Sequence, residues 1–193
     1  MTTAFVLGNG KSRLEVDLHQ LKSFGKIYGC NALYRDFSPD VLVATDPEIS
    51  AEIQNSQYAI KNKFYTRKPI NGLGALPIRE YFGFSSGPIA LSLACMSKAD
   101  YIFLIGFDLA GIEGKFNNVY ADTDFYKNSW QKETFYGNWV NQIAAISKDF
   151  PSSRIYHVVG STTFTPKAWE KTLTRITMDN FLRAINNNKL EQL

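Results

Sequence analysis

The segment FVLGNGKSRLEVDL at residues 5–18 joins an apolar run to a glycine-containing turn and then to a stretch with helical spacing of apolar residues. A strand, a turn and a helix in this order form the first half of a βαβ unit, the unit from which parallel sheets are built. The two glycines allow close backbone approach, and the N–H groups at the start of a helix attract anions. The candidate ligand-binding residues of this turn are Gly8, Asn9, Gly10, Lys11 and Ser12.

This turn matches neither the eight-residue phosphate loop nor the three-glycine dinucleotide fingerprint. A purely structural corner between strand and helix is therefore the alternative to a ligand site.

Outward from this turn, apolar segments of strand length alternate with longer segments of helical period. The predicted strands are 3–8, 26–31, 40–46, 100–108 and 154–160, and the predicted helices are 14–25, 47–56, 85–99, 130–150 and a terminal amphipathic helix within 178–190. The segment 58–84 is rich in Gly and Pro and predicts a short strand with loops. The pattern predicts an α/β, Rossmann-like, mainly parallel sheet with helices on both faces, in a single domain over residues 1–193. The run DYIFLIGFD at 100–108 is apolar on both faces, which predicts a central strand.

Composition narrows the function classes. The chain has 193 residues, 45% of them hydrophobic, which is enough for an ordinary globular core. A net charge of +3 with scattered basic residues argues against nucleic-acid binding. Cys30 and Cys95 lie in apolar contexts without a metal-ligand spacing, and no apolar stretch is long enough to span a bilayer. We expect a soluble, cytoplasmic protein, with oligomerisation left open.

Chemically useful residues recur where the predicted strands end. Asn31 follows the second strand, Asp46 the third, and Gly106 and Asp108 end the strand at 100–108. Because the carboxyl ends of parallel strands share one edge of the sheet, these residues predict a ligand site there. For Asp46, which precedes Pro47, capping of the next helix is an equally weighted alternative.

A second helix start carries two hydroxyls. Ser85, Ser86 and Gly87 precede Pro88 at the beginning of the predicted helix 85–99. Such a start can hold a phosphate or a ribose equally well, but the four residues alone favour an ordinary N-cap without a ligand.

The segment 110–130 is a predicted irregular lid. It is rich in Gly, Asn, Asp and Tyr, a composition typical of loops that cover sites. Its aromatic residues Tyr120, Phe125 and Tyr126 either stack on a sugar or base or pin the loop to the core.

Taken in order, VLGNGKSRLEVDL, GCNALYRDF, TDPEI, FSSGPIALSLA and YIFLIGFDL resemble the bacterial sialyltransferases that use CMP-activated sialic acid and the related flagellin-modifying motility accessory factors. Archaeal 6-hydroxymethylpterin pyrophosphokinases share the glycine-rich start. The resemblance covers residues 4–112. It implies that Gly8, Asn9 and Gly10 lie beside the nucleotide phosphates, and Asn31 and Asp46 near the activated sugar. It also implies that Ser85, Ser86 and Gly87 hold the sugar carboxylate and cytidine, and that Gly106 and Asp108 border the nucleotide.

Two departures from the sialyltransferase pattern concern catalysis. A phosphate-gripping tyrosine is expected at position 110, which is Ala110 here, and Tyr120 is the nearest downstream substitute. The catalytic histidine is expected near 134–136, where the sequence reads ETFYG without a histidine. Transfer to a hydroxyl needs a base, and the acidic residues available nearby are Asp122, Asp124 and Glu133.

The sequence therefore predicts a glycosyltransferase-like protein that moves a sugar from a nucleotide-activated donor to a glycan or other hydroxyl acceptor. The candidate catalytic residues are Asp46, Asp108 and Tyr120, and the scheme requires neither a metal nor another cofactor. One alternative is a pyrophosphokinase in which Asp46 and Asp108 hold Mg²⁺ against ATP phosphates. Another is a non-catalytic module that retains the fold.

Overall fold

The computed structural model describes residues 2–193, which contain eight strands and six α-helices. The strands are β1 (Thr3–Leu7), β2 (Lys26–Cys30), β3 (Val41–Ala44), β4 (Phe64–Thr66), β5 (Leu76–Pro77), β6 (Tyr101–Ile105), β7 (Arg154–Val159) and β8 (Thr174–Thr177). The helices are α1 (Leu18–Leu21), α2 (Pro47–Asn55), α3 (Tyr58–Lys61), α4 (Ser86–Met96), α5 (Gly137–Asp149) and α6 (Met178–Asn186). Short 3₁₀ turns cover Lys11–Glu15, Asn31–Arg35, Lys167–Trp169 and Leu190–Gln192.

The strands form one sheet in the order β5-β4-β3-β2-β1-β6-β7-β8, and every recorded strand pair in residues 2–193 is parallel. The predicted α/β, Rossmann-like class is confirmed. The chain builds the sheet from β1 outward to β5, then returns to the other side of β1 for β6. The boundary between β1 and β6 is therefore the topological switch point, where open α/β sheets bind ligands.

Alternate residues of β1 feed two separate apolar cores, as the two-residue period of a strand requires. Phe5 joins the core that contains Phe181 of α6, while Val6 joins the core that contains Leu91 of α4 and Ile143 of α5. All five residues of β6 are buried. This burial on both faces confirms the predicted central position of β6.

The first helix differs from its prediction over residues 14–25. A 3₁₀ turn comes first, Val16 has extended backbone, and α1 is only four residues long. The turn is drawn inward because the side chains of Ser12 and Arg13 are buried and hydrogen-bonded. Gly25, the last residue of the predicted helix, packs closely on β1, because a Cβ there would lie 2.2 Å from the carbonyl oxygen of Thr3.

Two further differences lie toward the end of the chain. The helix predicted from residue 130 begins only at Gly137, and β8 follows the strand that was expected to be the last. The strand β8 escapes a pattern search because it is a four-residue edge strand with three exposed residues, so it lacks a buried apolar run.

The segment 106–136, between β6 and α5, contains neither an α-helix nor a named strand in the described chain. This segment packs against the turn at residues 8–12. The Val119 N–H donates to the carbonyl of Asn9 at 2.7 Å, and the Lys11 N–H donates to Asn117 Oδ1 at 3.0 Å. A lid function for this segment stays a prediction. Across residues 2–193, the helices are all too short or too polar to cross a membrane.

Candidate functional site

A cavity of about 330 Å³ opens at the carboxyl ends of β1, β2, β3 and β6, at the switch point. This volume is at the lower end of the range for small-molecule sites. Ten of the thirteen predicted site residues line it. They are Gly8, Asn9, Gly10, Asn31, Asp46, Ser85, Ser86, Gly87, Gly106 and Asp108.

The two glycines of the first turn are required by close contacts with the end of β6. The Gly8 N–H donates to the carbonyl of Ile105 at 2.8 Å, and the Gly10 N–H donates to that of Gly106 at 2.9 Å. A Cβ at Gly8 would lie 2.4 Å from the Gly106 carbonyl oxygen, and one at Gly10 would lie 2.4 Å from Cγ of Asp108. Any larger residue would force the β1 and β6 ends apart.

Lys11 and Ser12 do not line the cavity in the described structure. The Ser12 N–H donates to Asp108 Oδ2 at 2.9 Å, and the Lys11 N–H donates to Asn117 Oδ1. The sequence predicted that these N–H groups would face an anionic ligand. They bind protein acceptors instead, because the 3₁₀ turn packs directly onto Asp108.

Asp108 lies at the centre of a hydrogen-bond cluster and is only 2% exposed. Its carboxylate accepts from the N–H and hydroxyl of Ser12, from Nδ2 of Asn117 at 3.1 Å, and from the hydroxyls of Thr162 at 2.6 Å and Thr163 at 2.9 Å. Five donors fill the roughly four lone-pair directions of a carboxylate. Asp108 therefore holds the site together, and its predicted catalytic role is better described as positioning.

Tyr120, the third predicted catalytic residue, lies outside the cavity lining. Its hydroxyl donates to Asp36 and accepts from Nη2 of Arg13 at 3.1 Å, and burial raises the pKa of Tyr120. The expected phosphate grip does not fit this position, because the hydroxyl is already committed inside the protein.

Arg13 is a buried positioning residue that the sequence reasoning missed. It is 2% exposed, and its Nη1 donates to Asn9 Oδ1 at 2.6 Å. Asn9 Nδ2 in turn donates to the carbonyl of Cys30 at 3.1 Å, which fixes the Asn9 amide between the 3₁₀ turn and the end of β2. No local pattern of the sequence indicates that Arg13 is buried, because the fold brings its partners Asp36 and Tyr120 to it from distant parts of the chain.

Asn31 is the residue of the site whose polar group most clearly lacks a protein partner. Its Oδ1 is buried and has no hydrogen-bond donor among residues 2–193. The backbone φ of Asn31 is 54°, in the left-handed region that Asn tolerates better than most residues. A buried acceptor without a partner costs about 1–3 kcal/mol, so this amide indicates a ligand that donates a hydrogen bond.

Asp46 lies at the N-cap position of α2 but makes no side-chain capping bond within the described chain. Its side chain is exposed and lines the cavity. The Asp46 side chain therefore does not cap α2, and its carboxylate is free to accept hydrogen bonds from ligand hydroxyls.

The start of α4 offers two free backbone donors, whereas the N–H groups of Lys11 and Ser12 in the first turn are bound to protein acceptors. The Ser86 hydroxyl accepts from the Thr45 N–H at 3.0 Å, which ties α4 to the end of β3. The N–H groups of Ser86 and Gly87 have no acceptor anywhere in residues 2–193. Since α4 is eleven residues long, its dipole adds partial positive charge at this point. Ser86 and Gly87 thus line the cavity and supply two N–H donors that suit a phosphate.

The far wall of the cavity comes from residues that no strand-end pattern indicates. They are Phe116, Asn117, Asn118, Glu133, Thr134 and Trp139. Glu133 Oε2 accepts from the Gly111 N–H, and Asp122 and Asp124, the other acids considered as bases, are not among the lining residues of the described cavity. Glu133 is therefore the candidate base that lies at the site.

Cys30 also lines the cavity, and burial raises the pKa of its thiol to about 12. The thiol is protonated near neutral pH and is a poor nucleophile there. Among residues 2–193 there is no grouping of three or more His, Cys, Asp and Glu side chains suited to a metal ion.

Comparison with known proteins shows the class of fold. No family model matches the chain, and no curated protein sequence matches it. A solved structure of the sialyltransferase CST-II, an asparagine-to-alanine variant in complex with CMP, is similar over 90% of this chain and 86% of that chain. The TM-score is 0.58 and the sequence identity is 11%. At this identity the similarity shows a sialyltransferase-like fold.

Proposed function

We propose that this protein is a glycosyltransferase that binds a nucleotide-activated sugar of the CMP-sialic acid type and transfers the sugar to a hydroxyl acceptor. The observation that carries the proposal is one cavity at the switch point that is lined by the free N–H groups of Ser86 and Gly87 and by the unpartnered amide of Asn31. The CMP in the related CST-II structure supports the choice of nucleotide.

The proposed chemistry is direct displacement at the anomeric carbon of the sugar. The acceptor oxygen forms the new bond to this carbon, and the bond between the carbon and the phosphate oxygen breaks. The electron pair of that bond leaves with the nucleoside monophosphate. The Ser86 and Gly87 N–H groups stabilise the charge that develops on the phosphate, since fixed backbone donors need no reorganisation.

Glu133 takes the proton of the acceptor hydroxyl in this scheme. It lines the cavity, and only its Oε2 is recorded in a hydrogen bond within residues 2–193. A carboxylate held beside the reacting hydroxyl is a suitable general base. Asp46 accepts hydrogen bonds from sugar or acceptor hydroxyls. Asp108 and Tyr120 position neighbouring residues of the site through their hydrogen bonds.

Thermal unfolding with CMP, CDP, UDP and ATP, each with and without Mg²⁺, tests the nucleotide. We expect stabilisation by CMP that does not depend on Mg²⁺. At a hundredfold excess over Kd the stabilisation is about 2.7 kcal/mol, or about 5–10 °C in melting temperature for a domain of this size. Asn31→Ala should reduce this shift, and Asn71→Ala, in an exposed loop, should leave it unchanged.

The same experiment, together with an assay of CMP-sialic acid consumption, tests the alternatives. Stabilisation by ATP only with Mg²⁺ would support the pyrophosphokinase, which requires Asp108 to release protein donors in favour of the ion. Stabilisation by CMP without consumption of CMP-sialic acid would support a non-catalytic module. No shift with any nucleotide at millimolar concentration would contradict the proposed function.

A further inference from the structure

Three aromatic side chains form a continuous cluster that we call the aromatic rim: Phe135, Tyr136 and Phe164. The ring centroids of Phe135 and Tyr136 are 6.4 Å apart, and those of Tyr136 and Phe164 are 5.4 Å apart. Phe135 is 75% exposed and Phe164 is 42% exposed. Adjacent exposed aromatic rings are typical of interaction surfaces.

The aromatic rim is held in a defined position although it is exposed. The ring of Phe135 lies over Gly137, where a Cβ would come within 2.4 Å of the Phe135 Cζ atom. The Phe164 N–H donates to the carbonyl of Asp108 at 3.0 Å. These contacts fix the backbone of Phe164 and restrict the Phe135 ring on one side, so part of the conformational entropy that ligand packing would cost is already lost.

The aromatic rim borders the cavity on the side of the proposed base. Thr134 and Trp139, which flank Phe135 and Tyr136 along the chain, both line the cavity, and so does Glu133. Asp108, which holds Phe164, lines it as well. The aromatic rim is therefore next to the part of the cavity wall that Glu133 and Thr134 form.

The size of the cavity requires part of the reacting complex to lie outside it. At about 330 Å³ it is near the lower limit for a site that holds one small ligand, whereas the proposed reaction brings together a nucleotide sugar and an acceptor. The acceptor hydroxyl must reach Glu133, so the rest of the acceptor extends toward the neighbouring surface.

We propose that the aromatic rim binds the acceptor, and that the acceptor is a carbohydrate whose apolar C–H face packs on the Phe135 ring. This inference rests on the proposed function, because Glu133 defines the direction from which the acceptor approaches. A pyranose ring suits the site, since one face is apolar while its edge carries hydroxyls that can bond to Glu133. A nucleobase would also stack on the rings, but it belongs to the donor, and this difference is measurable.

The test compares Phe135→Ala with Phe82→Ala, a matched control that removes another exposed phenylalanine. Transfer from CMP-sialic acid to lactose and to methyl β-galactoside is measured, and CMP affinity is measured by calorimetry. Loss of the ring should raise the acceptor KM about threefold to tenfold, with the CMP Kd and the melting temperature unchanged. Phe135→Tyr should restore the acceptor KM, and Phe82→Ala should match the wild type.

Several outcomes would overturn the inference. An unchanged acceptor KM in Phe135→Ala removes the acceptor role, and a weakened CMP affinity assigns the rim to the nucleobase instead. Concentration-dependent self-association that Phe135→Ala abolishes, with no change in KM, assigns the rim to a second copy of the chain.

A failure of the proposed function gives a different result, namely no CMP binding by the wild type. The aromatic rim is then tested directly by saturation-transfer NMR with methyl β-galactoside. Signals that Phe135→Ala removes would support a carbohydrate site, and their absence in the wild type would overturn it.

Discussion

At Asp108 one carboxylate joins three parts of the chain that are far apart in sequence. It accepts hydrogen bonds from Ser12 in the first turn, from Asn117 in the irregular segment, and from Thr162 and Thr163 after β7. Bonds to a charged acceptor are stronger than those between neutral groups. The shape of the cavity therefore depends on the charge of this residue.

Replacing Asp108 by Asn should destabilise the protein by about 3 kcal/mol, because the new amide NH₂ faces hydrogen-bond donors and leaves some of them buried without a partner. Urea denaturation measures the loss. Asp124→Asn is the control, since Asp124 is exposed and contributes only its carbonyl to the recorded bonds. A change below 0.5 kcal/mol in Asp108→Asn would contradict the structural role.

The sequence predicted Asp108 as a site residue because it ends an apolar strand, but it could not show that the carboxylate binds other parts of the protein. Its partners lie 9 to 96 residues away along the chain. Tyr120 shows the opposite case. A tyrosine in a polar segment has no apolar period that indicates where it points, so only the packing against Arg13 and Asp36 shows that it faces away from the cavity.

At the scale of elements, α4 is the helix that joins the site to the sheet. It packs on β1, β2 and β3, and most of its side chains are buried. Its first turn meets the end of β3 through Ser86 and Thr45, whose hydroxyl oxygens are 2.9 Å apart. The position of the free N–H groups of Ser86 and Gly87 is therefore fixed relative to the strand ends.

Ser86→Ala should destabilise the protein by about 1–2 kcal/mol, since it leaves the buried Thr45 N–H without its acceptor. Ser85→Ala should change stability by less than about 0.5 kcal/mol, because the Ser85 side chain makes no capping bond in the described structure. Denaturant unfolding of both variants measures the difference. Equal effects of the two substitutions would show that Ser86 does not anchor the helix.

At the scale of the whole molecule, a buried histidine links stability to pH. His157 in β7 is 1% exposed, its Nε2 is 3.1 Å from the Phe107 carbonyl, and its ring packs against Trp169. Burial lowers the pKa of His157 from its ordinary 6.5 to about 4. The folded protein therefore holds this ring neutral, whereas the unfolded chain takes up a proton below pH 6.5.

Because the unfolded state binds the extra proton, the contribution of His157 is fully present above pH 6.5 and is lost as the pH falls from 6.5 toward 4. The slope within this window approaches about 1.4 kcal/mol per pH unit. Urea midpoints at pH 7, 6 and 5 measure it. His157→Gln should flatten the dependence, and His19→Gln, on the exposed side of α1, should not. An equally steep profile in His157→Gln would assign the effect to other groups.

The sequence by itself determined the α/β class, the central strand and the set of strand-end residues, because the apolar period of each segment follows local rules and parallel strands end at one edge. Only the tertiary structure decided the rest. It directs the donors of Lys11 and Ser12 into the protein, buries Arg13, brings Glu133 to the cavity, and packs the rings of the aromatic rim together. These outcomes depend on contacts between residues distant in the chain, and no local pattern records such contacts.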